Sequence, residues 1–336
     1  MYFPILRGRQ FELLALRECV NQGLLSNKII PIVEPVKVSS TYTKTVDSFI
    51  KAGKSIAIIR NPQVGSWVKD LKKESNAKIR EQANEQLKDA NVISSFYVTP
   101  KLSTGIELAA KNGISIESLL LLCNNPEYVG SYEEVIGDNI PLYNVIPDKG
   151  DFRRRIRSNR VMCEDHFPKQ TRNIDYSDIE TEFFSSDHLY YADDGYKGFS
   201  DYSVVGEEYS ETGFAPYAVA IHIVYFDAKN ILRIAHFVSD SNDDISDPAR
   251  KFAEAVEKLV EWNKTMKLDT VGIREFEVAY HNKTYPGLGV VKKYSIMHHL
   301  ELMSKYLDGV AKRFFVSIVL MTRKLHQLFV LYLHRI

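Results

Sequence analysis

The chain has 336 residues, of which 45% are hydrophobic and 26% are charged, proportions that are ordinary for a soluble globular protein. Its 43 basic and 43 acidic side chains balance, so no overall field attracts nucleic acid or an acidic surface. We recognise neither a signal peptide nor an apolar run of the ~20 residues that a membrane helix needs. The cysteines, Cys19, Cys123 and Cys163, are far apart, which fits a reducing compartment. We therefore expect a cytoplasmic protein.

A recurring unit organises the first part of the chain. A short apolar run ends in a polar or charged residue, and an amphipathic stretch follows. These runs are residues 29–33, 56–59, 92–98, 119–122, 142–146 and 161–163. The rhythm is typical of successive parallel strands alternating with helices, whose carboxyl-terminal ends open onto one mouth.

Two further strands are predicted, a seventh at residues 188–191 and an eighth within 217–226. The latter pairs with residues 231–238 as a hairpin. Right-handed crossovers would either close such strands into a barrel or wind them into an open sheet. An open dinucleotide-binding fold would require a glycine-rich phosphate loop after the first strand, and this sequence has none there. We therefore predict an α/β fold, a distorted TIM-like (β/α) barrel.

The character of the chain changes near residue 247, where helical patterns begin. We predict a barrel over residues 1–246, a helical annex packed on it over 247–309, and a basic apolar tail over 310–336. The tail has a heptad-like apolar stripe with lysines and arginines and no acid. It could pack on its own barrel, form a homodimer or bind a protein partner, or lie on an anionic membrane surface.

Charged residues directly follow two of the early strands. Glu34 stands before Pro35, and Arg60 and Asn61 repeat the same arrangement one strand later. A carboxylate, a guanidinium and an amide at one mouth would suit a phosphorylated ligand, because arginine offers two parallel donors to an oxyanion. The alternative is that Glu34 and Arg60 pair with each other across adjacent strand ends.

Acidic residues recur in the middle of the chain. One group comprises Asp148, Asp151, Glu164, Asp165 and His166. Together with Asp193, Asp194 and Asp201 it could provide ligands for a hard divalent cation, or two of the carboxylates could divide the roles of general acid and general base. Their spacing is not diagnostic of either use. The identity and use of a metal therefore stay open.

The segment 192–216 mixes acids, aromatics and glycines. A connection of this length typically forms a lid or binding loop, although a loop packed on its own tyrosines is the alternative. The side chains predicted to bind a ligand there are Asp193, Tyr196, Lys197, Asp201 and Tyr202. The arginine-rich residues 153–160 are predicted to form a solvated face paired with acids, so nucleic acid is not expected as a partner.

Several segments resemble the beta-protein family of phages and bacteria. They are Tyr2-Phe3-Pro4 and residues 6–12, 30–35, 198–202 and 285–289, and the resemblance spans about residues 1–307. It implies a barrel-like α/β fold and a phage or phage-defence setting, and it implies no particular reaction.

Two functions follow as hypotheses. In the first, the chain is a hydrolase acting on a phosphorylated or nucleotide-like ligand, perhaps with a divalent metal as cofactor. Glu34, Asp165 and Asp194 would then serve as acid, base or metal ligands, and Arg60 would clamp the oxyanion. All four residues should line the same end of the sheet. In the second, a non-catalytic barrel binds a protein partner or ligand in a defence or phage-takeover complex.

Overall fold

The structure, a computed structural model, describes residues 1–210 and 216–309. Its strands are β1 (Ile5–Leu6), β2 (Ile32–Val33), β3 (Ile56–Ile59), β4 (Val92–Tyr97), β5 (Leu120–Leu122), β6 (Tyr143–Ile146), β7 (Arg160–Cys163), β8 (Thr181–Ser185), β9 (Gly198–Ser200), β10 (Ala220–Phe226) and β11 (Leu232–Val238). Its α-helices are α1 (Gln10–Asn21), α2 (Ser40–Ala52), α3 (Trp67–Leu71), α4 (Ala77–Gln86), α5 (Leu102–Lys111), α6 (Val129–Ile136), α7 (Gly150–Arg155), α8 (Asp187–Tyr190), α9 (Pro248–Met266), α10 (Val271–His281) and α11 (residues 288–309).

Eight parallel strands form a ring in the order β1-β2-β3-β4-β5-β6-β7-β9. Backbone hydrogen bonds join the last strand to the start of the chain: Phe3 N–H donates to the Phe199 carbonyl at 2.8 Å, and Phe199 N–H donates to the Met1 carbonyl at 3.0 Å. Helices alternate with the strands on the outside. The predicted distorted TIM-like (β/α) barrel is therefore confirmed.

Apolar side chains from alternate strand positions fill the inside of the ring, because successive residues of a strand point to opposite faces. This interior cluster comprises Phe3, Ile5, Ile30, Ile32, Ala57, Ile59, Tyr97, Leu120, Leu122, Val145, Val161 and Tyr202. Gly198 stands where the ring closes, and a Cβ there would lie 2.7 Å from the Phe3 ring and 2.6 Å from the Met1 carbonyl oxygen. Closure at this position therefore requires glycine.

Helix α11 returns from the end of the described chain to the start of the barrel. Its buried residues Ile296, Met297 and Leu300 belong to the same apolar cluster as Leu13 and Leu16 of α1. Lys293 on α11 also pairs with Glu18 on α1 at 2.9 Å. The helix thereby completes the outer layer next to α1.

A second, antiparallel sheet in the order β10-β11-β8 lies outside the ring. Strands β10 and β11 form the predicted hairpin, with Ala220 opposite Val238 and Phe226 opposite Leu232. Helices α9 and α10 bury their apolar faces against this sheet. The helical patterns predicted after residue 247 are thus confirmed, whereas the division into three units at residues 246 and 309 stays a prediction.

Two of the predicted ring strands are wrong. Residues 188–191 lie largely in the helical turn α8, and residues 217–226 contribute to the second sheet. Their places in the ring are taken by β1 and β9, which have two and three residues. Strands this short give no readable apolar period, and their pairing is supplied by neighbours on both sides.

No helix in the described ranges is long and apolar enough to cross a membrane. The predicted tail at 310–336 lies outside the described residues.

Candidate functional site

The carboxyl-terminal ends of the ring strands surround a cavity of about 160 Å³, which we call the mouth cavity. Its lining comes from six strand ends and the segments that follow them: Ile5, Tyr97, Leu122, Asn124, Val145, Pro147, Lys149, Cys163, Glu164, Asp165, Tyr202 and Glu207. This end of a (β/α) barrel is where the active sites of such enzymes lie, because the loops after the strands converge there.

Glu34 lies beside the mouth cavity, directly after β2, and is fully buried. The Arg7 guanidinium donates to one Glu34 oxygen, and the Tyr97 hydroxyl donates to the same oxygen at 3.0 Å. The other oxygen accepts the backbone N–H groups of Gln63 at 2.6 Å and Val64 at 3.3 Å. The carboxylate is therefore neutralised by a buried cation and its oxygens are occupied by donors.

The electrostatics of this group favour a permanent ion pair. Burial acts to lower the pKa of Arg7, but its neighbours Tyr97 and Glu34 outweigh that effect and raise it. Burial and the adjacent Glu34 raise the pKa of Tyr97 well above its usual range. Arg7 thus stays charged and Tyr97 stays a neutral donor at physiological pH.

Residues 206–210, which we call the strap, pass the edge of the mouth, where Glu207 lines the cavity, and are held by side chains that follow the ring strands. Arg7 donates to the Glu207 carbonyl, so the same guanidinium holds both Glu34 and the strap. Asp165 accepts the Glu207 N–H at 2.8 Å. Arg9 donates to the carbonyl of the last strap residue at 2.8 Å. These contacts hold the strap beside the mouth cavity.

The carboxylates around the cavity differ in how many of their oxygens accept hydrogen bonds. Both Asp165 oxygens accept backbone N–H groups, one of them from the strap. Glu164 accepts a single N–H, from Asp148 at 3.1 Å, and Glu207 accepts only the Tyr202 hydroxyl at 3.3 Å. Glu164 and Glu207 therefore each keep one oxygen without a hydrogen bond to the described residues.

Cys163 also lines the cavity, but its thiol is a poor nucleophile. Burial raises the pKa of Cys163 well above its usual range, although a hydrogen bond with Ser200 acts in the opposite direction. The thiolate is the reactive form of cysteine. The neutral Cys163 thiol therefore serves as part of the wall.

Arg60 and Asn61 follow β3 but do not line the mouth cavity. Arg60 lies outside the ring with its guanidinium 5.9 Å from the centre of the Phe96 ring. The Asn61 side-chain amide makes two hydrogen bonds with the Tyr97 backbone: it donates to the carbonyl at 2.9 Å and accepts from the N–H at 2.8 Å. The alternative that Arg60 pairs with Glu34 is wrong, because the next residue after Ile59 points outward and Arg7 occupies the carboxylate.

Asp193, Asp194 and Lys197 precede β9, whereas the residues at the mouth follow their strands. Because all strands of the ring run in the same direction, these three residues lie at its amino-terminal end. The prediction that Asp194 shares one end of the barrel with Glu34 is therefore wrong. The error follows from the strand assigned to residues 188–191, which placed these acids after a strand instead of before one.

The remaining predicted binding residues have mixed positions. The Tyr196 hydroxyl donates to Asp148 at 2.6 Å, so these two side chains hold each other. Asp201 is buried and accepts the Tyr2 hydroxyl at 2.7 Å, and burial raises its pKa. Tyr202 alone among these side chains lines the mouth cavity.

Sequence reasoning missed Arg7, Tyr97 and Glu207. Arg7 follows a strand of only two residues, which is too short to give a readable apolar pattern. Tyr97 is hidden inside the apolar run 92–98, and Glu207 reaches the mouth through a long connection. A usable signal for Arg7 was its position directly after apolar residues near the start of the chain, the arrangement that identified Glu34.

The acidic residues of the sequence leave a divalent metal open as a ligand at this mouth. No group of three or more His, Cys, Asp or Glu side chains within 1–210 and 216–309 is arranged to hold a metal ion. The use of a metal stays a prediction.

Comparison of the chain with protein-family models, with curated proteins and with solved structures finds no match. The resemblance to the beta-protein family therefore stays a prediction.

Proposed function

We propose that the protein is a barrel hydrolase that takes a small polar group of its substrate into the mouth cavity. The observation that supports this most is the cavity of about 160 Å³ bordered by Glu164 and Glu207, each with an oxygen available. Convergent polar groups in a concave site are the usual features of a ligand site.

The proposed chemistry is general acid–base catalysis by these two carboxyl groups. One carboxylate accepts a proton from the attacking water, and the other carboxyl group protonates the leaving atom, so the bond is cleaved with no net change in enzyme charge. Such a proton transfer typically contributes about 10²–10⁴-fold to the rate. Lys149 and Asn124, which also line the cavity, would orient the substrate.

The charges at the mouth favour an uncharged or cationic substrate group bearing hydroxyls or amines. Glu164, Asp165 and Glu207 outnumber the single lining cation, Lys149. A phosphate would meet net repulsion here, because like charges at short range raise the free energy of binding. The phosphorylated ligand expected from Arg60 has no support at the mouth, since Arg60 lies outside it.

The strap would control access. Substrate entry requires residues 206–210 to separate from Arg7, Asp165 and Arg9, and closure then excludes water from the cavity. This motion would give the strap the lid function that the sequence predicts for the segment 192–216.

The experiment is a hydrolysis assay with p-nitrophenyl glycosides, carboxylic esters and phosphates. We expect turnover of one uncharged class, with kcat/KM reduced by about 100-fold or more in Glu164→Gln and in Glu207→Gln. Asp194→Asn, at the other end of the ring, is the matched control and should retain full activity. Absence of turnover, or equal activity of all variants, would contradict the proposal.

A second candidate is a non-catalytic barrel that binds a protein partner in a phage-defence or phage-takeover complex. The observation in its favour is that the most buried mouth carboxylate, Glu34, is fully occupied by Arg7, Tyr97 and backbone donors. A cytoplasmic location belongs to both candidates and agrees with the free thiols at Cys19, Cys123 and Cys163.

Phage plaque counts on bacteria expressing the chain would separate the two candidates. Equal protection by the wild type and a Glu164→Gln/Glu207→Gln double variant would favour the non-catalytic role. Protection lost only in the double variant would favour the hydrolase. No change in plaque counts with either chain would argue against the phage setting.

A further inference from the structure

A second cavity, of about 640 Å³, lies outside the ring at the same end of the barrel. It is bounded by the segments after β3 and β4 and by the first turns of α5, and we call it the α5 pocket. Its volume is in the range of small-molecule sites in proteins. The two cavities have no lining residue in common, although Phe96 of this pocket and Tyr97 of the mouth cavity are neighbours along the chain.

The charge of the α5 pocket is one-sided. Arg60 and Lys101 line it, together with the hydroxyl-bearing Thr99 and Thr104, and no carboxylate is among its described lining residues. The mouth cavity has the opposite balance. An anionic group therefore meets attraction in the α5 pocket and repulsion at the mouth.

Arg60 contacts the Phe96 ring but has no anionic partner within residues 1–210 and 216–309. It makes no hydrogen bond or ion pair with the described residues, and its Nη1 atom is buried without an acceptor. Burial lowers the pKa of Arg60, and the Tyr42 hydroxyl acts in the opposite direction. A buried donor of this kind is costly unless something accepts its hydrogen bond.

The surrounding structure holds Arg60 in this position. Its neighbour Asn61 is fixed by the two bonds to the Tyr97 backbone, and Gln63 is fixed by donating to Glu34. Glu34, the buried acid that follows the adjacent strand β2, is occupied by Arg7. The guanidinium is thus directed away from the mouth and left available.

Apolar surface lies beside these polar groups. Phe96 and Leu102 line the pocket from the buried side, and Leu108 and Tyr128 line it from more exposed positions. A ligand with a flat apolar body could contact these side chains, since the face of an aromatic side chain such as Tyr128 can stack on any flat ring.

We propose that the α5 pocket binds a phosphorylated small molecule with a flat apolar body, of the size of a mononucleotide. The phosphate lies between Arg60 and Lys101, where the guanidinium offers paired donors to its oxygens. The body lies against Leu108 and Tyr128. This site does not depend on the proposed hydrolysis at the mouth.

The experiment is isothermal titration calorimetry with adenosine 5′-monophosphate, adenosine and inorganic phosphate. We expect the monophosphate to bind at least about 10-fold more tightly than either fragment, and Arg60→Gln to weaken it by about 10-fold or more. Arg60→Lys should retain part of the affinity, and Lys101→Gln should weaken it. Lys111→Gln, at the far end of α5, is the matched control and should bind like the wild type.

Two results would overturn the proposal. One is the absence of saturable binding of the monophosphate, and the other is equal binding of the monophosphate by the wild type and Arg60→Gln. Inorganic phosphate binding as tightly as the monophosphate would exclude the apolar part of the site.

Arg60→Gln removes no hydrogen bond among the described residues, so thermal unfolding should be unchanged. If it does unfold, Lys101→Gln gives the deciding comparison. Unchanged hydrolysis by Arg60→Gln would keep this site distinct from the mouth.

Discussion

The buried ion pair between Arg7 and Glu34 is the residue-level feature on which the mouth depends. It joins the ends of β1 and β2, and through Tyr97 and the Glu207 carbonyl it reaches the end of β4 and the strap. Its members are almost fully shielded from solvent. Removing one partner of such a pair leaves a buried, uncompensated charge.

We therefore expect Glu34→Gln to lower the free energy of unfolding by about 3–5 kcal/mol. Urea denaturation monitored by fluorescence would measure the change. Glu208→Gln is the control, because it removes a carboxylate whose pairing with Lys169 is largely exposed, and it should have little effect. Equal stability of Glu34→Gln and the wild type would show that the pair does not hold the mouth together.

The position of Glu34 could be predicted from the sequence, but its partner could not. A strand-like run followed by Glu34-Pro35 indicates a strand end, and that is where the structure has the carboxylate. The choice between Arg7 and Arg60 depends on which side of the ring each side chain faces. That direction is set by the register of paired strands, which no local pattern contains.

At the scale of elements, helix α11 connects the barrel to the second sheet through two adjacent histidines. His298 contacts the Val224 carbonyl at 2.7 Å and the Thr270 hydroxyl at 2.8 Å, and His299 contacts the Ser203 hydroxyl at 2.9 Å. Both are fully buried. Burial lowers the pKa of His298 to about 4 and that of His299 to about 3.

These shifts predict acid sensitivity. Because the folded-state pKa values lie below the unfolded value near 6.5, the unfolded chain binds protons first as the pH falls. Stability is therefore largely complete above about pH 6.5 and declines below it, down to about pH 4 for His298 and about pH 3 for His299, by about 2 kcal/mol per histidine at pH 5.

Urea denaturation at pH 7 and pH 5 would test this. We expect His298→Gln to lose about 2 kcal/mol less than the wild type between the two pH values. His281→Gln, at the exposed end of α10, is the control and should follow the wild type. A wild type equally stable at both pH values would contradict the assignment.

The strap is the second element with a testable property. Arg9 holds it by donating to the Ser210 carbonyl and by lying 4.7 Å from the centre of the Tyr209 ring. We expect Arg9→Ala to speed amide hydrogen exchange within residues 206–210 by several-fold, since one of its anchors is lost. Arg157→Ala, on an exposed part of the α7 connection, should leave that exchange unchanged. Unaltered exchange in Arg9→Ala would mean that the other anchors suffice.

For the whole molecule, the order of the ring could be predicted because six of its strands are apolar runs of readable length in sequence order. Its closure could not. The contact of Gly198 with Phe3 and Met1 joins residues at distant points of the chain, and glycine gives no strand signal of its own. Because β9 gives no strand signal, the sequence does not show that Asp193 and Asp194 precede a ring strand and therefore lie at its amino-terminal end.

The tail at 310–336 lies outside the described residues, and its predicted role in association remains open to test. An apolar stripe exposed to water is costly, at ~25 cal/mol per Å², so a covering surface is expected. Truncation after residue 309 should convert a dimer to a monomer in light scattering, with thermal unfolding unchanged. An unchanged mass would contradict the association role, and an unfolded product would show that the tail packs on its own barrel.

The central claim is that chemistry occurs at the mouth through Glu164 and Glu207. The most direct measurement is the ratio of kcat/KM between Asp194→Asn and Glu164→Gln on the best substrate of the hydrolysis panel. The two variants remove one carboxylate each, from opposite ends of the same ring. A ratio of about 100 or more is predicted from the loss of a general acid or base. A ratio near one would contradict the assignment of the mouth as the active site.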